Sequence, residues 1–199
     1  MLRHGNLIAA ARRCGGRGHG TFGGGFHTRR TNLLKYSSAT SNTTGWIVIG
    51  TSLARDTVTT RDGASYKAVS SGVNGLLCSG ATYVPRVAAG HQYTLSFWVN
   101  TETASRNILP AMVWKPNSDG SGTTISTTTS TVAMSVGAWK YIALTGTAPA
   151  GALSAVLTLY VSGVATYYVD EIQFEAGEFA TPHIATDGAT KTRVATRHG

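Results

Sequence analysis

The sequence predicts an all-β fold, a jelly-roll β-sandwich with an extended basic N-terminal arm and a short C-terminal tail. Charged residues make up 13% of the 199 residues, about half of the roughly 25% that is usual in globular domains. Beyond Thr31 apolar and polar residues alternate with period two in several short runs, which is typical of strands with one buried face. Turn-forming clusters such as RDGAS and PNSDGSG separate these runs.

Charge divides the chain into three parts. Residues 1–30 hold six arginines and no acidic residue, residues 31–184 hold eight basic and eight acidic residues, and residues 185–199 hold three basic residues against one aspartate. The net charges are therefore +6, 0 and +2, which sum to the +8 of the whole chain. We predict an arm (1–30), one jelly-roll domain (31–184) and a basic tail (185–199).

The arm has the composition of a segment that orders on a partner. It contains eight glycines and too few apolar residues for a core of its own. Because the domain itself is neutral, we do not expect it to bind nucleic acid, whereas a basic arm can bind any acidic surface. The alternative is a flexible tail. The residues predicted to anchor the arm to its partner are Arg3, Arg12, Arg13, Arg17, Phe22, Phe26, Arg29 and Arg30.

Two runs show the strand pattern most clearly. YTLSFWV at 93–99 places Tyr93, Leu95, Phe97 and Val99 on one face and Trp98 on the other. In the second run, ILPAMVW at 108–114, three apolar residues recur together and Pro110 indicates an edge position or a bulge. The runs WKYIAL at 139–144 and LSAVLTLYV at 153–161 continue the series.

An ordered set of short motifs resembles the carbohydrate-binding-module type of jelly roll that recurs in bacteriophage structural proteins. The resemblance covers residues 31–184, and its closing motif is the most specific. The motifs are NLL at 32–34, GW at 45–46, GASYK at 63–67, VP at 84–85, GHQYTLSFWV at 90–99, Trp139, APAG at 148–151, YVDEIQFEAG at 168–177 and ATP at 180–182.

The resemblance implies that the last strand pairs beside the first. Ile172 and Phe174 would then fill the core, and Glu171, Gln173 and Glu175 would face outward. The Ala-Thr-Pro exit at 180–182 would end the sheet, because proline cannot donate to a ladder.

The resemblance also bears on a metal site. In sugar-binding relatives an aspartate like Asp170 helps to hold a structural calcium together with oxygens from the N-terminal strand. Here the segment 32–46 contains no acidic residue, and calcium usually takes several carboxylate ligands. We therefore predict no cofactor and expect Asp170 to be solvated or bonded in a turn.

The pattern of titratable residues does not predict an enzyme. Glycoside hydrolysis needs two carboxylates that face each other across a cleft, and half of the eight acids in the domain lie on the final strand or its exit. His91 and His183 are isolated, with no Cys or acid at metal-binding spacing.

A sugar-binding face is a better-supported expectation. Trp98 lies opposite the core-facing residues of its strand, Trp114 is one strand away in sequence, and exposed aromatic rings can stack on a sugar. We name Tyr83, Trp98 and Trp114 as glycan-contact candidates. The alternative is that such tryptophans cover the edge of the second sheet.

Taken with the arm, the resemblance implies a non-enzymatic virion protein, a capsid decoration or minor tail protein. The apolar stretch LIAAA at 7–11 is too short for a signal peptide, and we expect no membrane span. The expected partners are capsid or tail subunits, further copies of the chain, and a host-surface glycan. The alternative is a stand-alone carbohydrate-binding module.

Overall fold

The computed structural model describes residues 28–39, 42–50, 52–72, 74–78 and 82–195. These residues form thirteen strands and no helix, which confirms the all-β prediction. Within this part of the chain no helix is long and apolar enough to cross a membrane. The strands are β1 (Thr28–Asn32), β2 (Trp46–Val48), β3 (Ser52–Asp56), β4 (Ser65–Ser71), β5 (Asn74–Cys78), β6 (Gln92–Thr101), β7 (Arg106–Lys115), β8 (Ser126–Thr129), β9 (Val132–Met134), β10 (Lys140–Thr147), β11 (Ser154–Val161), β12 (Val164–Ala176) and β13 (Lys191–Ala195).

Two antiparallel sheets build the body of the domain. One has the strand order β10-β6-β12-β4-β3, and the other has the order β2-β5-β11-β7-β8 with β9 also paired to β7. A single hydrophobic core joins them, because Phe97 and Phe174 of the first sheet and Leu157 and Leu159 of the second belong to one buried cluster. This arrangement of two sheets around a shared core is the predicted sandwich.

The alternation predicted for β6 is confirmed. Leu95, Phe97 and Val99 are completely buried, and Trp98 between them is partly exposed on the outer face of its sheet. Ile172 and Phe174 of β12 are also completely buried, as predicted.

Pro110 lies inside the sheet rather than at its edge. It pairs with Leu159 of β11, and on the other side of β7 the partner strand is interrupted between β8 and β9. The Pro110 carbonyl accepts hydrogen bonds from the backbone N–H of Ser130 and the hydroxyl of Thr129 at this interruption. A proline is tolerated in an interior strand here because the ladder is already irregular.

Trp114 is part of the core, so its prediction as a glycan contact is wrong. Its side chain is 1% exposed, and its ring centroid lies 6.2 Å from that of Tyr93 across the sandwich. The indole Nε1 donates to Thr128 Oγ1 at 3.0 Å. Trp114 shares the inward face of β7 with Ile108 and Met112, since all three are separated by an even number of residues.

The two ends of the described chain pair with each other. β1 and β13 form a two-stranded antiparallel ribbon in which Arg30 lies opposite Arg193. Arg29 and Arg30, assigned above to the arm, therefore lie in a strand, and the predicted boundary at residue 30 falls inside β1. The other six predicted anchoring residues, Arg3 to Phe26, lie outside the described residues.

Candidate functional site

An open cleft of about 550 Å³ lies on the outer face of the five-stranded sheet. Its floor comes from β6 and β10, one side from the loop before β4, and the opposite side from the segment that follows β12. The residues that line it are Arg61, Ser96, Trp98, Tyr141, Glu171, Ala180, Thr181, Pro182 and His183.

Two aromatic rings form the floor. Tyr141 of β10 is the register partner of Trp98 of β6, and their ring centroids lie 5.2 Å apart with the planes tilted by 53°. Tyr141 is 42% exposed, so one ring in the cleft is available to a ligand. Tyr141 is not among the predicted glycan contacts. Its outward position could have been predicted, because Ile142 and Leu144 of WKYIAL are buried and Tyr141 alternates with them.

The guanidinium of Arg61 lies over the Trp98 ring, with Cζ 3.6 Å from the ring centroid. Arg61 Nε is also 3.9 Å from Glu171 Oε1. The Arg61 side chain is 36% exposed, so solvent screens this ion pair. Burial raises the pKa of Glu171 above its ordinary value, while the charge of Arg61 acts in the opposite direction.

A bulge in β12 aims Glu171 into the cleft. The pairing of β12 with β6 shifts register between Asp170 and Gln173, and Glu171 takes a positive φ of 51°. Residues other than glycine rarely adopt this conformation, and such residues cluster at functional sites.

Asp170 holds the bulge and the neighbouring loop together. It is completely buried, its Oδ2 accepts from the backbone N–H of Arg61 at 2.8 Å and of Asp62 at 3.3 Å, and its Oδ1 accepts from the N–H of Glu171 at 2.8 Å. The carboxylate thereby positions both charged residues of the cleft.

The surroundings of Asp170 do not fit the structural calcium that the resemblance implied for this position. A cation needs oxygen ligands with free lone pairs, but three backbone N–H groups point at this carboxylate with their positive ends. Within the described ranges no group of three His, Cys, Asp or Glu side chains is arranged to hold a metal ion.

The far side of the cleft is built by the closing motif. β12 ends at Ala176, and Gly177 follows with a φ of 127°. A side chain there would collide with the Arg30 guanidinium, whose Nη1 donates to the Ala176 carbonyl at 2.6 Å. The hydroxyls of Thr94 and Thr145 then donate to the carbonyls of residues 177 and 178, which hold the exit segment over the sheet.

Gln173 and Glu175 point away from the core, as predicted, but both are completely buried. The reason is that the exit segment folds back over them. Thr181 donates its N–H to Glu175 Oε1 at 2.6 Å and its hydroxyl to Oε2 at 2.9 Å, and the Ile184 N–H donates to Gln173 Oε1 at 2.7 Å. The Ala-Thr-Pro exit therefore satisfies buried polar groups in addition to ending the sheet.

His183 closes the same side. Its Nε2 shares a hydrogen bond with the Ser37 hydroxyl at 3.0 Å, and burial lowers the pKa of its imidazole. Ser37 belongs to the segment after β1, whose Leu33 N–H donates to the Phe174 carbonyl. The opening segment thus runs beside the second half of β12.

Among the three predicted glycan contacts, only Trp98 lies in the cleft. Tyr83 lines a second, smaller groove, with its ring 5.5 Å from that of Tyr36 in an edge-to-face arrangement. Trp114 lies in the core. The structure instead brings Arg61, Tyr141 and Glu171 to Trp98.

The fold is shared with carbohydrate-binding modules. The CBM22-2 xylan-binding domain from Paenibacillus barcinonensis Xyn10C superposes with a TM-score of 0.54 at 17% identity, over 71% of this chain and 98% of that one. The C-terminal family 22 carbohydrate-binding module of Clostridium thermocellum Xyn10B gives 0.55 at 14% identity, over 76% and 98%.

A phage protein contains a similar domain. The enzymatically active domain of bacteriophage CBA120 tailspike protein 4 superposes with a TM-score of 0.56 at 14% identity. The match covers 73% of this chain but only 22% of the tailspike chain. No curated protein sequence matches this chain.

The sequence itself matches the family model described as a carbohydrate binding domain over residues 31–165, which is more than half of the chain. The match begins at the end of β1 and runs into β12. The chain therefore belongs to this family of carbohydrate-binding domains.

Proposed function

We propose that the chain binds a neutral glycan in the cleft and does not cleave it. The observation that carries this proposal is the exposed Tyr141 ring beside Trp98, flanked by Arg61 and Glu171. An aromatic floor with a few convergent polar groups is the usual composition of a small-molecule site, and sugar rings stack on aromatic faces through their apolar C–H groups.

Tyr141 and Trp98 have different parts in this proposal. Arg61 already lies on the Trp98 ring, so the ring left for stacking is that of Tyr141. Trp98 supports both neighbours, because it contacts the Tyr141 ring on the sheet and the Arg61 guanidinium above it.

The charge of the cleft favours neutral sugars. Arg61 and Glu171 form a pair of opposite sign, and the lowered pKa of His183 favours its uncharged form. Together these groups offer hydrogen-bond donors and acceptors to hydroxyl groups without attracting a charged ligand.

The carboxylates of the cleft argue for binding without hydrolysis. Glycosidases place two carboxyl groups on opposite sides of the scissile bond. Here Glu171 is the acidic residue in the cleft lining, and the neighbouring Asp170 is buried with its oxygens bonded to backbone N–H groups.

The first test is binding to a panel of soluble neutral polysaccharides that includes xylan free of uronic acid substituents, measured by affinity electrophoresis and calorimetry. We expect Tyr141→Ala to weaken binding by up to about tenfold, since an aromatic stacking contact contributes roughly 0.5–1.5 kcal/mol and 1.4 kcal/mol is tenfold. Trp98→Ala and Glu171→Gln should also weaken binding.

Tyr160→Ala is the matched control. Tyr160 lies on β11 in the other sheet and is partly exposed there, so its loss should leave glycan affinity unchanged. Equal affinity of Tyr141→Ala and the unsubstituted protein for every glycan bound would refute the cleft as the site. Reducing sugar released from the panel would refute the absence of hydrolysis.

A second proposed function is display on a bacteriophage particle, with the arm as the attachment to capsid or tail subunits. It rests on the +6 charge and eight glycines of residues 1–30, beside a neutral domain. Because such particles are symmetric, further copies of the chain would lie beside it and could be additional partners. The likeness to the tailspike domain, at 14% identity, supports a shared fold and nothing further.

Deletion of residues 1–27 tests this attachment. The domain should remain folded, because its first strand begins at Thr28 and pairs with β13. The truncated protein should be missing from purified particles. Replacing Arg12, Arg13 and Arg17 with serine should weaken attachment in a salt-dependent way, since exposed charges are screened over about 8–10 Å. Incorporation of the truncated protein at full stoichiometry would show that the arm is dispensable.

A further inference from the structure

A second groove, of about 280 Å³, lies away from the cleft and shares none of its lining residues. It is bordered by the segment after β1, by the loop before β6, and by Thr190 just before β13. We call it the basic groove. The residues that matter to its chemistry are Lys35, Thr82, Tyr83, Arg86 and Thr190.

The groove is a positive site on a neutral domain. Among the described residues that line it, Lys35 and Arg86 are the two charged ones and none is acidic. Half of the eight acids between residues 31 and 184 lie instead on β12 and its exit. Within the part of the chain that the structure describes, neither cationic side chain forms an ion pair or a side-chain hydrogen bond. The two charges are therefore available to a ligand.

The groove also has a fixed aromatic side. The Tyr83 ring packs edge-to-face on Tyr36, with centroids 5.5 Å apart. Val84, which follows it, is 6% exposed and belongs to the core. Arg86 is anchored through its backbone, which forms a β-bridge with Ser154. The ring and the guanidinium thus start from an ordered loop, which lowers the entropy lost on binding.

Two hydroxyls complete the groove. The side chains of Thr82 and Thr190 are exposed, and neither bonds to another residue of the described part of the chain. They can donate to and accept from ligand hydroxyl groups. The volume is near the lower end of ligand pockets, roughly 300 Å³, which suits one ring rather than a chain.

We propose that the basic groove binds a uronic acid unit, as a second carbohydrate site independent of the cleft. The pyranose ring packs on Tyr83, its hydroxyls bond to Thr82 and Thr190, and its carboxylate lies between Arg86 and Lys35. Arginine presents a fork of N–H donors that matches a carboxylate, and lysine adds a point charge. A neutral sugar would leave both cations without a counter-charge.

The test compares two ligands that differ only at C6. The full chain, labelled with ¹⁵N, is titrated with methyl β-D-glucuronoside and with methyl β-D-glucoside, and amide shifts are followed by NMR. We expect the glucuronoside to shift the amides of Lys35, Tyr83 and Arg86 in a saturable way, and the glucoside to leave them in place at the same concentration.

Substitutions then assign the charges. Arg86→Ala and Lys35→Ala should each weaken glucuronoside binding about tenfold or more, since each substitution removes a charge-assisted contact to the carboxylate. The glucuronoside affinity of Arg86→Lys should lie between those of the unsubstituted protein and Arg86→Ala. Lys140→Ala is the control, because Lys140 is an exposed cation on β10 that bonds to the Ala133 carbonyl outside the groove.

Three outcomes would overturn the proposal. Equal shifts from both sugars would show that the carboxylate is not recognised. Unchanged glucuronoside affinity in Arg86→Ala would show that Arg86 does not contact the carboxylate. Sulfate that shifts the same amides with the same affinity as the glucuronoside would mean an anion site without sugar recognition. Tyr141→Ala should not change glucuronoside affinity, so failure of the cleft and failure of the groove are separate results.

Discussion

Replacing Trp114 with alanine is expected to lower the free energy of unfolding by about 3–5 kcal/mol, the range for deletion of a buried aromatic side chain. The side chain is 1% exposed and packs against Tyr93, and the substitution would also leave the Thr128 hydroxyl without its Nε1–H donor. The measurement is urea denaturation followed by intrinsic fluorescence, with the m-value checked for two-state behaviour.

Two comparisons make this prediction sharp. Trp114→Phe keeps a buried aromatic ring, so it should cost clearly less than Trp114→Ala, although it still loses the hydrogen bond to Thr128 and leaves a smaller cavity. Trp98→Ala removes a partly exposed residue of the outer face and should cost less than Trp114→Ala while weakening glycan binding. A Trp114→Ala protein of normal stability that has lost glycan affinity would contradict both the packing and the placement of the site.

Replacing Asp170 with alanine is expected to cost about 3 kcal/mol or more. Three backbone N–H groups would lose a charged acceptor inside the domain, where each such bond contributes roughly 1.5–3 kcal/mol and the contributions are not additive. The loop that carries Arg61 and the bulge that carries Glu171 would both be released. Glycan affinity should therefore fall together with the thermal midpoint.

Asp119→Ala is the matched control for this carboxylate. Asp119 Oδ1 accepts from the Ser121 N–H at 2.9 Å, but in an exposed turn. Water can replace the lost bond there, so the cost should be no more than about 1 kcal/mol. Calcium should leave the thermal midpoint of the unsubstituted protein unchanged. A midpoint that rises with calcium only when Asp170 is present would show that this carboxylate binds the ion after all.

The local alternation of side chains could be predicted well, because it follows from the backbone. In β6 the buried set and the outward Trp98 were both correct, since successive side chains of any strand point to opposite faces. For Ile172 and Phe174 the core placement was implied by the family resemblance together with this rule, and both are completely buried. The rule also predicts an outward side chain for Tyr141, which lies one residue before the buried Ile142.

The errors came from contacts between elements distant in sequence. Gln173 and Glu175 point outward as the period predicts, yet the exit segment covers them, and no local pattern shows that a segment folds back. The prediction of an exposed Trp114 depends on its nearness to Trp98 along the chain. The two tryptophans lie in different sheets.

The sequence by itself determined the all-β class, the core faces of the main strands and the division of charge between a basic end and a neutral domain. These properties depend on the composition and on the two-residue period of a strand. Only the tertiary structure decided which residues meet in the cleft. Arg61, Trp98, Tyr141 and Glu171 come from a loop and three strands, and their meeting depends on the register of β10 with β6 and on the bulge after Asp170. Register and bulge arise from pairing between strands distant in the chain, where the energy of long-range contacts outweighs any local preference.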